Sequence, residues 1–66
     1  MNKDLVLGID IGSVSVKTAL LDARKSLITD SYVRINGDPV RTLRDELTKL
    51  FQRFPEERIA AAGITG

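Results

Sequence analysis

Apolar positions recur every second residue through the first half of the chain and every third or fourth through much of the second. That switch separates strands from a helix. LVLGIDIG, Leu5 to Gly12, is a short apolar stretch bounded by polar residues and glycine, which predicts a strand buried on both faces. Leu5, Leu7, Ile9 and Ile11 share one face; Val6, Gly8, Asp10 and Gly12 share the other. The second face is small apart from Asp10, so another group can approach the backbone there. Gly12 and Ser13 reverse the chain into Val14 to Asp22. There Val14, Val16, Thr18 and Leu20 alternate with Ser13, Ser15, Lys17, Ala19 and Leu21, a second strand. The link is too short for a crossover, so these two strands form an antiparallel hairpin. A polar turn at Ala23 to Ser26 leads to a third alternating run, Leu27 to Ile35.

Asn36-Gly37-Asp38-Pro39 then punctuates the chain: Asn-Gly makes a turn, Asp38 suits a helix N-cap and Pro39 the first helical position. Val40, Leu43, Leu47, Leu50, Phe51 and Phe54 fall on one stripe, while Arg41, Arg44, Asp45, Lys49, Gln52 and Arg53 cover the remainder. The helix predicted over Pro39–Phe54 ends at Pro55. RIAAAGITG, Arg58 to Gly66, reads as a short buried strand of small residues. The result is a β-β-β-α-β string. A right-handed helical crossover joins strands three and four. This predicts an α/β unit with a mixed sheet of order 3-2-1-4, in which strands one and four are parallel neighbours. Ligands of open α/β sheets sit at strand carboxyl ends beside such a switch point. Asp10, Gly12, Thr65 and Gly66 would gather there.

Composition removes several chemistries. The 66 residues contain no Cys and no His, which excludes disulfides, Cys/His zinc sites, thiolate-held clusters and histidine acid–base catalysis within this chain. Ten Lys plus Arg against nine Asp plus Glu give a net charge of +1, so no strongly basic nucleic-acid arm is present. Arg34, Arg41, Arg44 and Arg53 alternate with Asp38, Asp45 and Glu46, the pattern of a solvated helix face. Tyr32, Phe51 and Phe54 read as core or helix-stripe aromatics, and Arg58 as part of a surface loop. No apolar run reaches the ~18 residues of a membrane helix, and the start lacks the apolar core of a signal peptide. The expectation is a cytoplasmic α/β segment with no membrane and no nucleic-acid partner.

LGIDIGSVSVKTALLD resembles the first phosphate motif of the sugar kinase, actin and heat-shock chaperone ATPase superfamily. Within that superfamily, GIDIGSVSVK, YVRINGDPVRTLRDEL and AAAGITG are most similar to the activator ATPases of 2-hydroxyacyl-CoA dehydratases. That family includes the ATP-hydrolysing subunits of benzoyl-CoA reductases. The resemblance implies a ribonuclease-H-like fold, with residues 1–66 forming the N-terminal part of an actin-like ATPase domain that continues past Gly66. It implies ATP or ADP with magnesium as ligand, and homodimers that drive an electron from an iron–sulfur cluster to a dehydratase or reductase partner. The cluster is implied by the family alone, because this chain has no cysteine to hold it.

The motif has a direct physical logic. A bend at Gly12 would let backbone N–H groups of the turn, Ser13 and Val14 among them, face a phosphate. Ser13 and Ser15 hydroxyls would add hydrogen bonds, and Lys17, on their strand face, a positive charge. Asp10 repels phosphate, so its role would be to hold magnesium through water or to position the attacking water. Thr65 and Gly66 match a Thr-Gly that lies near the nucleotide in the activators. Against this stand plainer readings: a β-turn at Asp10-Ile11-Gly12-Ser13, a solvated strand lysine at 17 and a strand ending in a flexible glycine. Two other functional classes share the string. One is a ribonuclease-H-like nuclease or resolvase, with Asp10 as metal ligand, and the other a non-catalytic dimerisation module. An acid inside a strand, on a face otherwise made of glycine and valine, favours the phosphate reading. The 66 residues alone are expected to lack turnover and to self-associate.

Overall fold

The computed structural model describes residues 3–66. Three strands, β1 (Leu5–Ile11), β2 (Ser15–Leu21) and β3 (Leu27–Arg34), precede helix α1 (Pro39–Arg53). A 3-10 turn at Glu56–Arg58 then leads into β4 (Ile59–Thr65). The sheet order is β3-β2-β1-β4, with β1 antiparallel to β2, β2 antiparallel to β3, and β4 parallel to β1. The α/β unit and its sheet order are those expected from the sequence.

Each connection has a local cause. Asp22 organises the β2–β3 turn: its Oδ1 accepts from the N–H groups of Arg24 (2.8 Å) and Ser26 (2.9 Å), and Lys25 enters the left-handed region at φ 66°. Asp38 caps α1, its Oδ1 accepting from the Arg41 N–H at 3.1 Å, with Pro39 in the first turn. Gly37, at φ 88°, supplies the backbone conformation that turns β3 towards the helix.

The helix lies on one face of the sheet. Leu5, Leu7, Ile9, Leu20 and Leu50 form the buried cluster, and Leu43, Leu47, Phe51, Phe54, Ile11 and Ile59 pack around it. Side chains such as Leu5 and Leu20, wholly removed from water, contribute about 1.5–3 kcal/mol each.

One helix covers one face only, and this corrects three expectations. Strand β1 is buried on a single face: Leu5, Leu7 and Ile9 are inside, whereas Val6 and Asp10 are exposed. Strand β4 is not buried. It is an edge strand, and apart from half-buried Ile59 its residues are exposed, Ile64 by 65%. The apolar stripe of α1 begins at Leu43, because Val40 sits in the first turn beyond the sheet and is 66% exposed. Strand β2 also begins one residue later than its alternation implies, leaving Val14 in the hairpin turn and exposed. No helix among the described residues is long and apolar enough to cross a membrane.

Candidate phosphate site

Strand register places four side chains in a row across the open face. Asp10 is the partner of Lys17 on β2 and of Thr65 on β4, and Lys17 is in turn the partner of Tyr32 on β3. The row therefore runs Tyr32, Lys17, Asp10, Thr65, one residue from each strand. It crosses β1 and β4 at their carboxyl ends, where the order of the sheet reverses.

The contacts along this row are specific. Thr65 Oγ1 donates to Asp10 Oδ1 at 3.1 Å. Lys17 Nζ lies 5.6 Å from the centroid of the Tyr32 ring, within cation–π range. The ion pairs among the described residues are Lys49–Glu46 and Arg58–Asp4, so Asp10 and Lys17, although directly opposed, are not paired. All four residues line one recess of about 510 Å³, together with Gly8, which has no side chain, and Ala19, which has only a methyl group, so the centre of the sheet is open.

The hairpin turn stands next to this row. The Gly12 N–H donates to the Ser15 carbonyl at 2.8 Å, and the Ile35 N–H to the Val14 carbonyl at 2.7 Å. These bonds fix the turn, and they also commit the Gly12 N–H to the hairpin rather than to a ligand. Gly12 needs no unusual backbone conformation, since its φ is not positive and a methyl group there would make ordinary contacts of 3.6 Å with Ser15. Ser13 and Val14 are exposed, whereas Ser15 is buried, with 7% of its surface exposed. Gly66 is a close-approach position: a Cβ there would stand 2.5 Å from the Ile11 carbonyl oxygen.

Of the residues expected from the sequence, Asp10, Lys17 and Thr65 are brought into one recess, while Gly12, Ser13, Val14, Ser15 and Gly66 flank it at the hairpin end and outside its lining. Tyr32 corrects its expected role. It is 61% exposed on the face away from the helix, not part of the core, whereas Phe51 and Phe54 do pack against the core. A one-residue register shift between Leu20 and Leu21 hides this from the sequence, because counting back from the turn assigns β3 to the wrong faces. Arg58 is likewise no free loop residue, since it holds Asp4 through two hydrogen bonds.

Among the described residues no group of three or more His, Cys, Asp or Glu side chains could enclose a metal. Asp10 is a single exposed carboxylate with one oxygen bonded to Thr65. That set fits magnesium, which keeps most of its water and takes one or two carboxylates together with ligand phosphates. It does not fit an iron–sulfur cluster, for which the chain has no thiolate.

The strand order and the single crossover define the chain as an α/β unit, and its fold is kinase-like. Among solved structures it is similar to a protein from Cytophaga hutchinsonii ATCC 33406, provisionally described as a sugar kinase, with a TM-score of 0.67 and 25% identity. The match covers 91% of this chain and 21% of that one, so the chain spans about a fifth of the length of its structural neighbour. No protein-family description and no curated protein sequence matches the chain.

Proposed function

We propose that the β1–β2 hairpin is the phosphate-binding element of a nucleotide-dependent kinase or ATPase. The observation that carries this reading is the row of Lys17, Asp10 and Thr65 on one open face, at the carboxyl ends of parallel β1 and β4. Lys17 neutralises phosphate charge, and the exposed hydroxyl of Ser13 and free amides of the turn add hydrogen bonds. Asp10 orients water, held by its Thr65 hydrogen bond in one rotamer. Magnesium, if bound with the nucleotide, would be held through water by Asp10 and would neutralise phosphate charge. Ser15 is buried, so its part is to shape the turn beside Gly12. Thr65, at the end of β4, lines the site, and Gly66 flanks it.

The finer reading, an activator ATPase that couples hydrolysis to electron transfer towards a dehydratase or reductase, is supported by the resemblance of GIDIGSVSVK, YVRINGDPVRTLRDEL and AAAGITG alone. The 66 residues contain no thiolate to hold an iron–sulfur cluster. The nuclease reading is disfavoured by the donor set, because phosphodiester cleavage by two metals needs several converging carboxylates.

Titration of the 66-residue chain with tripolyphosphate, magnesium-ATP, adenosine and a short single-stranded oligonucleotide, followed by amide chemical shifts, tests the proposal. A few hydrogen bonds to a hydrated polyanion net about 1–3 kcal/mol each, and immobilising the ligand costs several. Affinity should therefore be millimolar or weaker, about −4 kcal/mol. Tripolyphosphate and ATP should move the same amides from Gly12 to Lys17, and adenosine should move none. Equal shifts with adenosine, or shifts with the oligonucleotide only, would refute the phosphate role.

A further inference from the structure

Asp10 and Lys17 face each other across β1 and β2, at a cross-strand separation that lets a lysine fold onto a carboxylate. They do not pair. Each is instead drawn towards the outer strand on its own side: Asp10 accepts from Thr65 of β4, and Lys17 lies over the Tyr32 ring of β3. We propose that Tyr32 is a positioning residue for Lys17. Its ring face holds the ammonium away from Asp10, so that the cation and the carboxylate remain separately available to a ligand. The functional part of this inference rests on the phosphate reading above.

The placement of Tyr32 leaves this as its evident task. It is 61% exposed and lies on the sheet face opposite α1, so it adds nothing to the core cluster. No hydrogen bond of its hydroxyl is present among the described residues, and the ring alone meets Lys17. An exposed ion pair and an exposed cation–π contact are of similar strength, so a competing ring is enough to change where a lysine rests. A lysine folded onto Asp10 would cancel both charges of the site: the phosphate would lose its cation, and Asp10 could no longer orient a water. Asp30, which lines the same recess two residues along β3, is the other carboxylate within the lysine's surroundings, and ring contact competes against it in the same way.

The test uses the whole 66-residue chain as wild type, Tyr32→Leu and Tyr32→Phe. The first readout needs no ligand. Ring current should displace the Lys17 ε-methylene protons upfield in the wild type and in Tyr32→Phe, and the displacement should vanish in Tyr32→Leu. The second readout is tripolyphosphate affinity. Tyr32→Leu should bind several-fold more weakly, and Tyr32→Phe should return to within twofold of wild type. Absence of the ring-current displacement in wild type, equal affinities for wild type and Tyr32→Leu, or a Tyr32→Phe as weak as Tyr32→Leu would each overturn the inference. An intact displacement together with a Lys17→Ala variant that binds tripolyphosphate as wild type does would instead remove the phosphate reading, and the two failures are thereby told apart.

Discussion

Arg58 donates to both carboxylate oxygens of Asp4, Nε to Oδ1 at 2.9 Å and Nη2 to Oδ2 at 2.7 Å, joining the residue before β1 to the residue before β4. The pair closes the end of the sheet opposite the Asp10–Thr65 contact, so β4 is tied to β1 by side chains at both ends. The hydrogen bonds from Arg58, aided by its charge, hold the Asp4 carboxyl below its ordinary value of 3.8. Because the unfolded chain takes up the proton more readily, this contribution is fully present above pH 3.8 and is lost as pH falls through the lowered folded value. Asp4→Asn should therefore lower the urea midpoint near neutral pH, and the gap between the two midpoints should narrow as pH falls below 3.8. A gap of constant size over that range would show that the pair adds nothing to stability.

Two glycines near the site should respond differently to a methyl group. At Gly12 a Cβ meets only Ser15 atoms at 3.6 Å, and the backbone conformation is ordinary, so Gly12→Ala should change stability by less than about 0.5 kcal/mol. At Gly66 a Cβ would stand 2.5 Å from the Ile11 carbonyl, a contact that forces the backbone to give way. Relief comes by releasing the end of β4. Gly66→Ala should thus leave global stability nearly unchanged while amide exchange at Thr65 accelerates and the Ile11 resonance shifts. Unaltered exchange at Thr65 would mean that β4 does not end against β1 in solution.

The outer edge of β4 carries unpaired backbone groups along IAAAGIT, with no charge, proline or other protection against pairing. A second copy related by a two-fold axis can add its own β4 antiparallel without opposing like charges, and exposed Ile64 would be covered in the process. The isolated chain should sediment as a dimer at high concentration. Ala61→Lys, a charge in mid-strand on the open face, should return it to a monomer without unfolding it. Wild type that remains monomeric at every concentration would contradict this pairing.

The fold was legible where local chemistry decides it. Alternation marked three strands, Asp38-Pro39 marked the helix start, and a fifteen-residue α1 supplied the crossover that makes β4 parallel to β1. Burial was less legible, because periodicity reports which positions are apolar and not which face a single helix will cover. Val40 and β4 show the difference. At the site, Asp10 and Thr65 follow from the parallel pairing of β1 and β4, and Lys17 from the short hairpin. Tyr32 required the true β2–β3 register, which the irregularity at Leu20/Leu21 displaces by one residue. The Asp4–Arg58 pair spans nearly the whole chain, and no local signal encodes such a contact.

If Lys17 serves the phosphate and Asp10 the magnesium, as proposed, the effect of one substitution depends on the metal. Near a bare polyphosphate the Asp10 carboxylate is repulsive, whereas near a magnesium-loaded one it attracts the hydrated cation. The most direct measurement compares ATP affinity of wild type and Asp10→Asn by amide titration, once with excess chelator and once with excess magnesium. Asp10→Asn should bind metal-free ATP more tightly than wild type and magnesium-ATP more weakly or equally, so the difference between the variants shrinks or reverses when the metal is added. The same change in affinity with and without magnesium, or no change in either, would contradict the account.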